Sequence, residues 1–384
     1  MLKHWMAAVA LALGLLAGSA AAQETFRIGL ILPMTGPFAS TGRQIDGAVK
    51  LWMQEHGSTV AGKKIEVIVK DDAGTPDTTR RLAQELVNDK VNVLAGFGLT
   101  PLALATAPVA TQAKVPMIVM AAATSVITEK SPMIVRAGFT LPQITEPMAD
   151  WAAKNNIRKV VTLVSDYGPG IDAENAFKAR FSAEGGQVTD SLRVPLRNPD
   201  FAPFLQKVAD EKPNAVFVFV PSGVGSIFAK QFVERGFDKS GVRLIATGDL
   251  TDDDILNDMG DVVLGVITSM HYSAAHPSAA NKAYVTAFKK LNGIRPNFHS
   301  VGGYDGMRLI YMALEKTKGS TDGEALVNAM KGLQFESPRG PVTIDPATRD
   351  PIQNVYLRKV EKVDGELWNV EFATVPNVKD PMHK

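Results

Sequence analysis

The stretch Phe26-Arg27-Ile28-Gly29-Leu30-Ile31-Leu32-Pro33-Met34-Thr35-Gly36-Pro37 decides the fold. Its apolar run, closed by a proline–glycine turn, reads as a buried strand. Just beyond, Ile45, Ala48, Val49 and Trp52 recur at i, i+3, i+4 and i+7, one apolar face of a helix. The same order then repeats. Residues 64–70 read as a second strand, and Asp77 opens a helix carrying Leu82, Leu86 and Val87. Residues 91–95 and 115–120 supply a third and a fourth strand. This alternation with short linkers predicts a parallel sheet wrapped by helices.

The alternation restarts after Phe139. Residues 159–164, 186–194, 214–220 and 244–247 read as strands. Residues 172–183 and 201–210 read as helices, the second entered through Pro199-Asp200. The tail differs: residues 355–363 and 366–372 predict a hairpin around Asp364-Gly365. Two α/β halves suit a chain of 384 residues, since single cores rarely grow past about 250.

The first residues read as an address. Lys3 and His4 precede an apolar run at 6–17, then Ala20-Ala21-Ala22, an A-x-A site that predicts a secretory signal cleaved after Ala22. That run falls short of the roughly 20 residues a membrane helix needs. The chain has no cysteine, which excludes disulfides, thiolate metal sites, thiol nucleophiles and a lipidated N-terminal cysteine. A periplasmic protein without a lipid anchor is expected. With 41 basic and 40 acidic side chains there is no basic excess for nucleic acid.

Four loops carry the chemistry. Gly96-Phe97-Gly98-Leu99-Thr100-Pro101 begins like a dinucleotide fingerprint but lacks the third glycine. It reads better as backbone N–H groups and a Thr100 hydroxyl at a helix N-terminus, a cradle for a carboxylate. A tight strand-to-helix turn is the plain alternative. Ala121-Ala122-Ala123-Thr124-Ser125 follows the next strand and supplies a second wall at the carboxyl ends of the strands. In Ser165-Asp166-Tyr167-Gly168-Pro169-Gly170 the chain must turn, leaving Tyr167 to stack on a ligand or to pack on its own lobe. Gly248-Asp249-Leu250-Thr251-Asp252-Asp253-Asp254 lacks the glycine and closing glutamate of a calcium loop. Asp249 is expected to touch ligand, and 252–254 to begin a helix whose dipole they would favour. The six histidines show no H-x-x-x-H spacing, and no G-x-S-x-G elbow occurs. Nothing gathers an acid, a base and a nucleophile, so no metal, no cofactor and no enzymatic activity are expected.

In this order, with Lys70-Asp71-Asp72 and Asp200-Phe201 between them, the motifs resemble the type I periplasmic binding proteins. They are similar to the leucine/isoleucine/valine-binding proteins of ABC importers, aromatic-acid binders included. The resemblance implies two doubly wound, Rossmann-like α/β lobes joined by a three-crossing hinge. Crossings would fall near Phe139, near His271-Tyr272 and near Asp350. Lobe one would comprise 25–140 plus 272–350, and lobe two 141–271 plus 351–376. It also implies a ligand carboxylate at Thr100, Ala122 and Thr124, a capping Tyr167, and Asp249 where an amino acid's ammonium would be paired. Pro221 and Thr41 stand where amino-acid binders place aromatics, while Phe97 and Phe139 would add ring surface. The implied function is that of a monomeric receptor that closes on a small apolar or aromatic carboxylate and presents it to an importer permease. A branched-chain or other apolar amino acid as ligand, or a sensor feeding a signalling partner, remains the alternative.

Overall fold

In the computed structural model, which describes residues 24–383, the opening stretch forms β1 (Thr25–Leu32) at the heart of a six-stranded sheet. The predicted signal lies outside the described residues. Chain order continues with α1 (Ala39–His56), β2 (Thr59–Val60), β3 (Lys63–Asp71), α2 (Pro76–Asn88) and β4 (Val93–Gly96). Next come α3 (Thr100–Ala113), β5 (Met117–Val119) and β6 (Ile134–Arg136). The strands lie in the order β2-β3-β1-β4-β5-β6, parallel except for β2. Side chains of β1 alternate between two layers, as the period of a strand requires. Phe26, Ile28, Leu30 and Leu32 pack in the cluster that holds Ile45 and Trp52 of α1, whereas Ile31 joins Leu82 and Leu86 of α2. Gly29 faces α2 so closely that a Cβ would lie 2.8 Å from Leu86 Cδ1.

The second lobe begins with α4 (Leu141–Lys154), β7 (Lys159–Ser165), α5 (Gly168–Ala183), β8 (Gln187–Val194), α6 (Ala202–Glu211) and β9 (Ala215–Phe219). It continues with α7 (Gly225–Glu234), β10 (Arg243–Thr247), α8 (Leu256–Met259) and β11 (Ile267–Met270). The chain then returns to the first lobe through α9 (Ala279–Asn292), α10 (Phe298–Lys316) and α11 (Gly323–Met330). There α10 lies along α1, with Trp52 edge-on to Tyr304 at 4.9 Å and to Tyr311 at 5.7 Å. It ends in β12 (Gln334–Ser337), β13 (Gly340–Ile344), β14 (Pro351–Val363) and β15 (Glu366–Val378). The second sheet runs β12-β13-β14-β11-β10-β9-β7-β8, with β15 on β14. Residues 334–344, counted with lobe one from sequence, thus hydrogen-bond into the second sheet.

The tail hairpin forms as expected, with Asp364 (φ 52°) and Gly365 (φ 84°) both left-handed at the turn. Two local expectations change. Helix α5 begins at Gly168 rather than at 172, because Pro169 fits the first turn of a helix, where its missing N–H has no intrahelical partner to lose. Asp252–Asp254 do not begin α8, whose N-cap is Ile255. They lie in the preceding turn, with Asp252 and Asp253 buried, because they have distant partners. Asn297 Nδ2 donates to Asp252 Oδ2 (3.0 Å), Asn369 Nδ2 to Asp253 Oδ1 (2.9 Å), and the Ser40 hydroxyl to the Asp254 carboxylate. Among the described residues no helix is long and apolar enough to cross a membrane.

Candidate functional site

The loop after β4 turns sharply under the cleft. Gly96 has φ +110° and would place a Cβ 2.3 Å from Ile31 O, so no side chain fits there. Phe97 follows at φ 67°, a conformation that is an outlier for a bulky residue. The twist sends its ring down among Ile31, Ala103 and Ile134. Phe97 therefore lies in the core of the lobe and does not line the cavity above it. Gly98, Leu99 and Thr100 do line it, together with Phe38 and Thr41 from the start of α1. Thr100 begins α3, and neither a side-chain cap nor an acidic residue sits in that first turn.

The next loop supports this one. Ala121, Ala122 and Ala123 line the cavity. The Ala122 N–H donates to Phe97 O (3.0 Å), so it serves the loop rather than a ligand. Buried Arg136 donates to Ala122 O (2.5 Å) and Thr124 O (2.8 Å) and pairs with Asp350 (2.6 Å). Thr124 is absent from the cavity wall. Its hydroxyl lies 3.0 Å from that of Thr100, which it orients.

From the other lobe, Tyr167 is the N-cap of α5 and stacks on Phe219 (centroids 6.0 Å apart, planes at 19°). Both rings line the cavity, as do Pro169, Pro221 and Ser222. Helix α5 has no side-chain cap and no acidic residue in its first turn. Gly168 sits so close to the threonine pair that a Cβ would meet Thr124 Oγ1 at 2.7 Å and Thr100 Cγ2 at 3.5 Å. Two helix N-termini, one from each lobe, thus converge on the Thr100–Thr124 hydroxyls. Each brings a positive dipole end, but Pro101 and Pro169 have no N–H, and Leu102 and Ala103 already donate to Leu99 O (3.1 and 3.2 Å), which leaves Thr100 and Gly168 as the first N–H groups of the two helices. The sequence signal for this start was Pro169 in the first turn, which the surrounding glycines made read as part of a loop.

Asp249 lines the cavity, 5% exposed, and accepts from Thr247 Oγ1 (2.9 Å). Burial pushes its carboxyl up to about 7, against the lowering effects of Thr247 and Arg358. Burial, then the neighbouring Asp249, pushes the Tyr167 phenol well above its ordinary value. Phe139 also lines the cavity, stacked on His271 at 4.6 Å and edge-on to Phe298 at 5.6 Å. Sequence reading missed Phe38, Phe219, Ser222 and His299. His299 lies in the first turn of α10, which Asn297 caps by accepting from the N–H groups of His299 and Ser300. A histidine with no partner at metal-ligand spacing leaves no sequence signal.

The lobes are closed tightly on this cavity, whose volume is about 30 Å³. Arg197 Nη2 donates to Gly74 O (3.0 Å) and Ser125 N to Asp172 Oδ2 (3.0 Å), both across the cleft. The bonds of Asn297 to Asp252 and of Ser40 to Asp254 also cross it.

Comparison with known proteins agrees with this architecture. Residues 25–366 match the family described as periplasmic binding protein. The chain is 64% identical to a solute-binding protein of an ABC transporter from Rhodopseudomonas palustris BisB5, solved in complex with 3,4-dihydroxybenzoic acid. That match covers 94% of this chain and 99% of the other, with a TM-score of 0.92. A solute-binding protein from Rhodopseudomonas palustris HaA2, in complex with p-hydroxybenzoic acid, is 43% identical over the same shares, with a TM-score of 0.91. The Leu/Ile/Val-binding protein homolog 6 of Brucella melitensis is 44% identical over 382 residues, 98% of each chain.

Proposed function

The chain belongs to the periplasmic binding protein family, and from that premise we propose that it is the receptor of an ABC importer for a small aromatic carboxylate of the benzoate class. The observation that carries this reading is the meeting of two uncapped helix N-termini, from α3 and α5, at the Thr100–Thr124 pair, where a Cβ on Gly168 would lie 2.7 Å from Thr124 Oγ1 and 3.5 Å from Thr100 Cγ2. An anion placed there meets the positive dipole ends of helices from both lobes, so it gains most when the lobes are shut. The Tyr167–Phe219 stack and Phe139 supply an apolar slot for a ring. The relatives solved with hydroxybenzoic acids support the same ligand class.

In this proposal the ligand settles on the lobe built around β1, and the lobe built around β7, whose sheet takes in β12 and β13, closes over it. Thr41, Thr100, Ala122, Phe139, Tyr167, Pro221 and Asp249 form the walls, Thr124 orients Thr100, and Phe97 supports the loop from below. The receptor acts in the periplasm as a monomer, releases its ligand chemically unchanged, and presents its closed form to the permease.

A second reading keeps an apolar α-amino acid as ligand, favoured by the buried Asp249 carboxylate, which would pair with an ammonium. Titration calorimetry decides between them. Benzoate and 4-hydroxybenzoate should bind while leucine and valine do not. Thr100→Ala should weaken benzoate by about ten- to a hundredfold, the worth of a hydrogen bond to a charged group. Tight leucine binding that is lost in Asp249→Asn would establish the amino-acid reading instead.

A further inference from the structure

The cavity has a second polar feature on different elements from the carboxylate cradle. Asn297 holds the first turn of α10 in place. It takes Gln44 Oε1 on its N–H (3.1 Å) and donates to Asp252 Oδ2 (3.0 Å). That turn is thereby tied to the loop that carries Asp249. It sets His299 in the cavity wall, 6% exposed, with its ring 4.1 Å from that of Phe298.

The imidazole has no hydrogen bond in this position. Nδ1 is buried without a partner, and burial is the sole influence on its titration, pushing it down to about 3. A histidine in that state is neutral throughout the physiological range and offers one donor and one acceptor. Buried polar groups are nearly always satisfied, so an unsatisfied one in a ligand cavity calls for a partner from outside the chain. A phenolic hydroxyl is both donor and acceptor, and so it matches either tautomer. A carboxylate, which only accepts and carries charge, already has its place at the two helix N-termini.

Resting on the benzoate-class reading above, we propose that His299 is the specificity-determining residue that reads a ring hydroxyl, making the protein a receptor for hydroxylated aromatic acids in preference to the unsubstituted acid. A ring hydroxyl would satisfy the imidazole, whereas a bare ring edge leaves it unpaired.

The test is the ratio of dissociation constants for benzoate and 4-hydroxybenzoate, with 3-hydroxybenzoate added to locate the hydroxyl. Wild type should favour a hydroxylated acid about tenfold, the worth of one hydrogen bond against an orphaned group. His299→Leu should bring that ratio to about one, and His299→Gln, which keeps a donor and an acceptor, should retain part of it. Thermal unfolding of ligand-free protein should show His299→Leu at least as stable as wild type, because no internal hydrogen bond is lost. Independently of any substitution, the ¹⁵N resonances of the His299 imidazole should shift with a hydroxylated acid and stay near their benzoate positions otherwise. A wild-type ratio of one, or an unchanged ratio in His299→Leu, would overturn the role of His299 while leaving the benzoate-class reading intact. Failure of every aromatic acid to bind folded wild type would overturn both.

Discussion

Asp249 carries a conflict that one residue can resolve by holding a proton. Its carboxyl is buried beside Tyr167, and burial lifts it from 3.8 to about 7. The folded protein therefore keeps that proton over a range in which the unfolded chain releases it. Stability attributable to Asp249 falls as pH rises from about 4 to about 7. Above that, an ionised Asp249 also opposes an anionic ligand in the same cavity. Benzoate affinity should weaken beyond pH 7 by up to about tenfold per unit, the limit for one linked proton. Asp249→Asn should flatten that profile between pH 6 and 8. It should also raise the unfolding temperature at pH 8 more than at pH 5, by about 2–4 °C for each kcal/mol relieved. Calorimetry across the pH series, with thermal scans of both proteins, checks it; a wild-type affinity indifferent to pH would refute it. The same residue was legible in the sequence as a lone acid in a loop. Its protonation was not, because that depends on walls contributed by Tyr167 and Phe219 from other elements.

Helix α5 shows what element boundaries decide. Because the helix starts at Gly168, its first turn abuts the Thr100–Thr124 pair of the other lobe. Gly168→Ala would put a methyl 2.7 Å from Thr124 Oγ1 in the closed form. The open form would be untouched. Overpacking of this kind costs about 1–3 kcal/mol, so benzoate affinity should fall by roughly 5- to 100-fold. The ligand-free unfolding temperature should hold. Unchanged affinity would mean that the α5 N-terminus does not approach the ligand loop when the lobes shut. Strand β1 stands at the other extreme. Its alternation, its turn and the helix beyond it were all readable locally, since each depends on the hydrophobic period of a few neighbouring residues.

Closure is a property of the whole molecule. Bonds from Arg197 to Gly74, Ser125 to Asp172 and Asn297 to Asp252 join the lobes across the cleft without touching the cavity wall's aromatic slot. A ligand selects the closed form only by its differential affinity, and these contacts set the equilibrium on which it acts. Small-angle scattering should show the radius of gyration shrinking when benzoate is added. Arg197→Ala removes one of the bonds, and about three- to tenfold more ligand should be needed to reach the same compaction. A compact wild type that does not respond to benzoate would refute ligand-driven closure.

Strand and helix periods, the Asp364-Gly365 hairpin and the order of the loops that line the cavity were determined by the sequence alone. They rest on local burial patterns and turn chemistry, which act within a few residues of the chain. The tertiary structure alone placed Phe97 in the core, Thr124 behind Thr100 and His299 in the cavity wall. It also drew Asp252–Asp254 into bonds with Ser40, Asn297 and Asn369 instead of a helix start. It joined β12 and β13 to the second sheet. Each of these depends on a partner far away in the chain, brought near only because the chain crosses between lobes, and periodicity carries no record of distant partners. His299 is the clearest case: its neighbours in sequence make it a residue in a helix's first turn, and only the tertiary structure makes it part of a cavity wall.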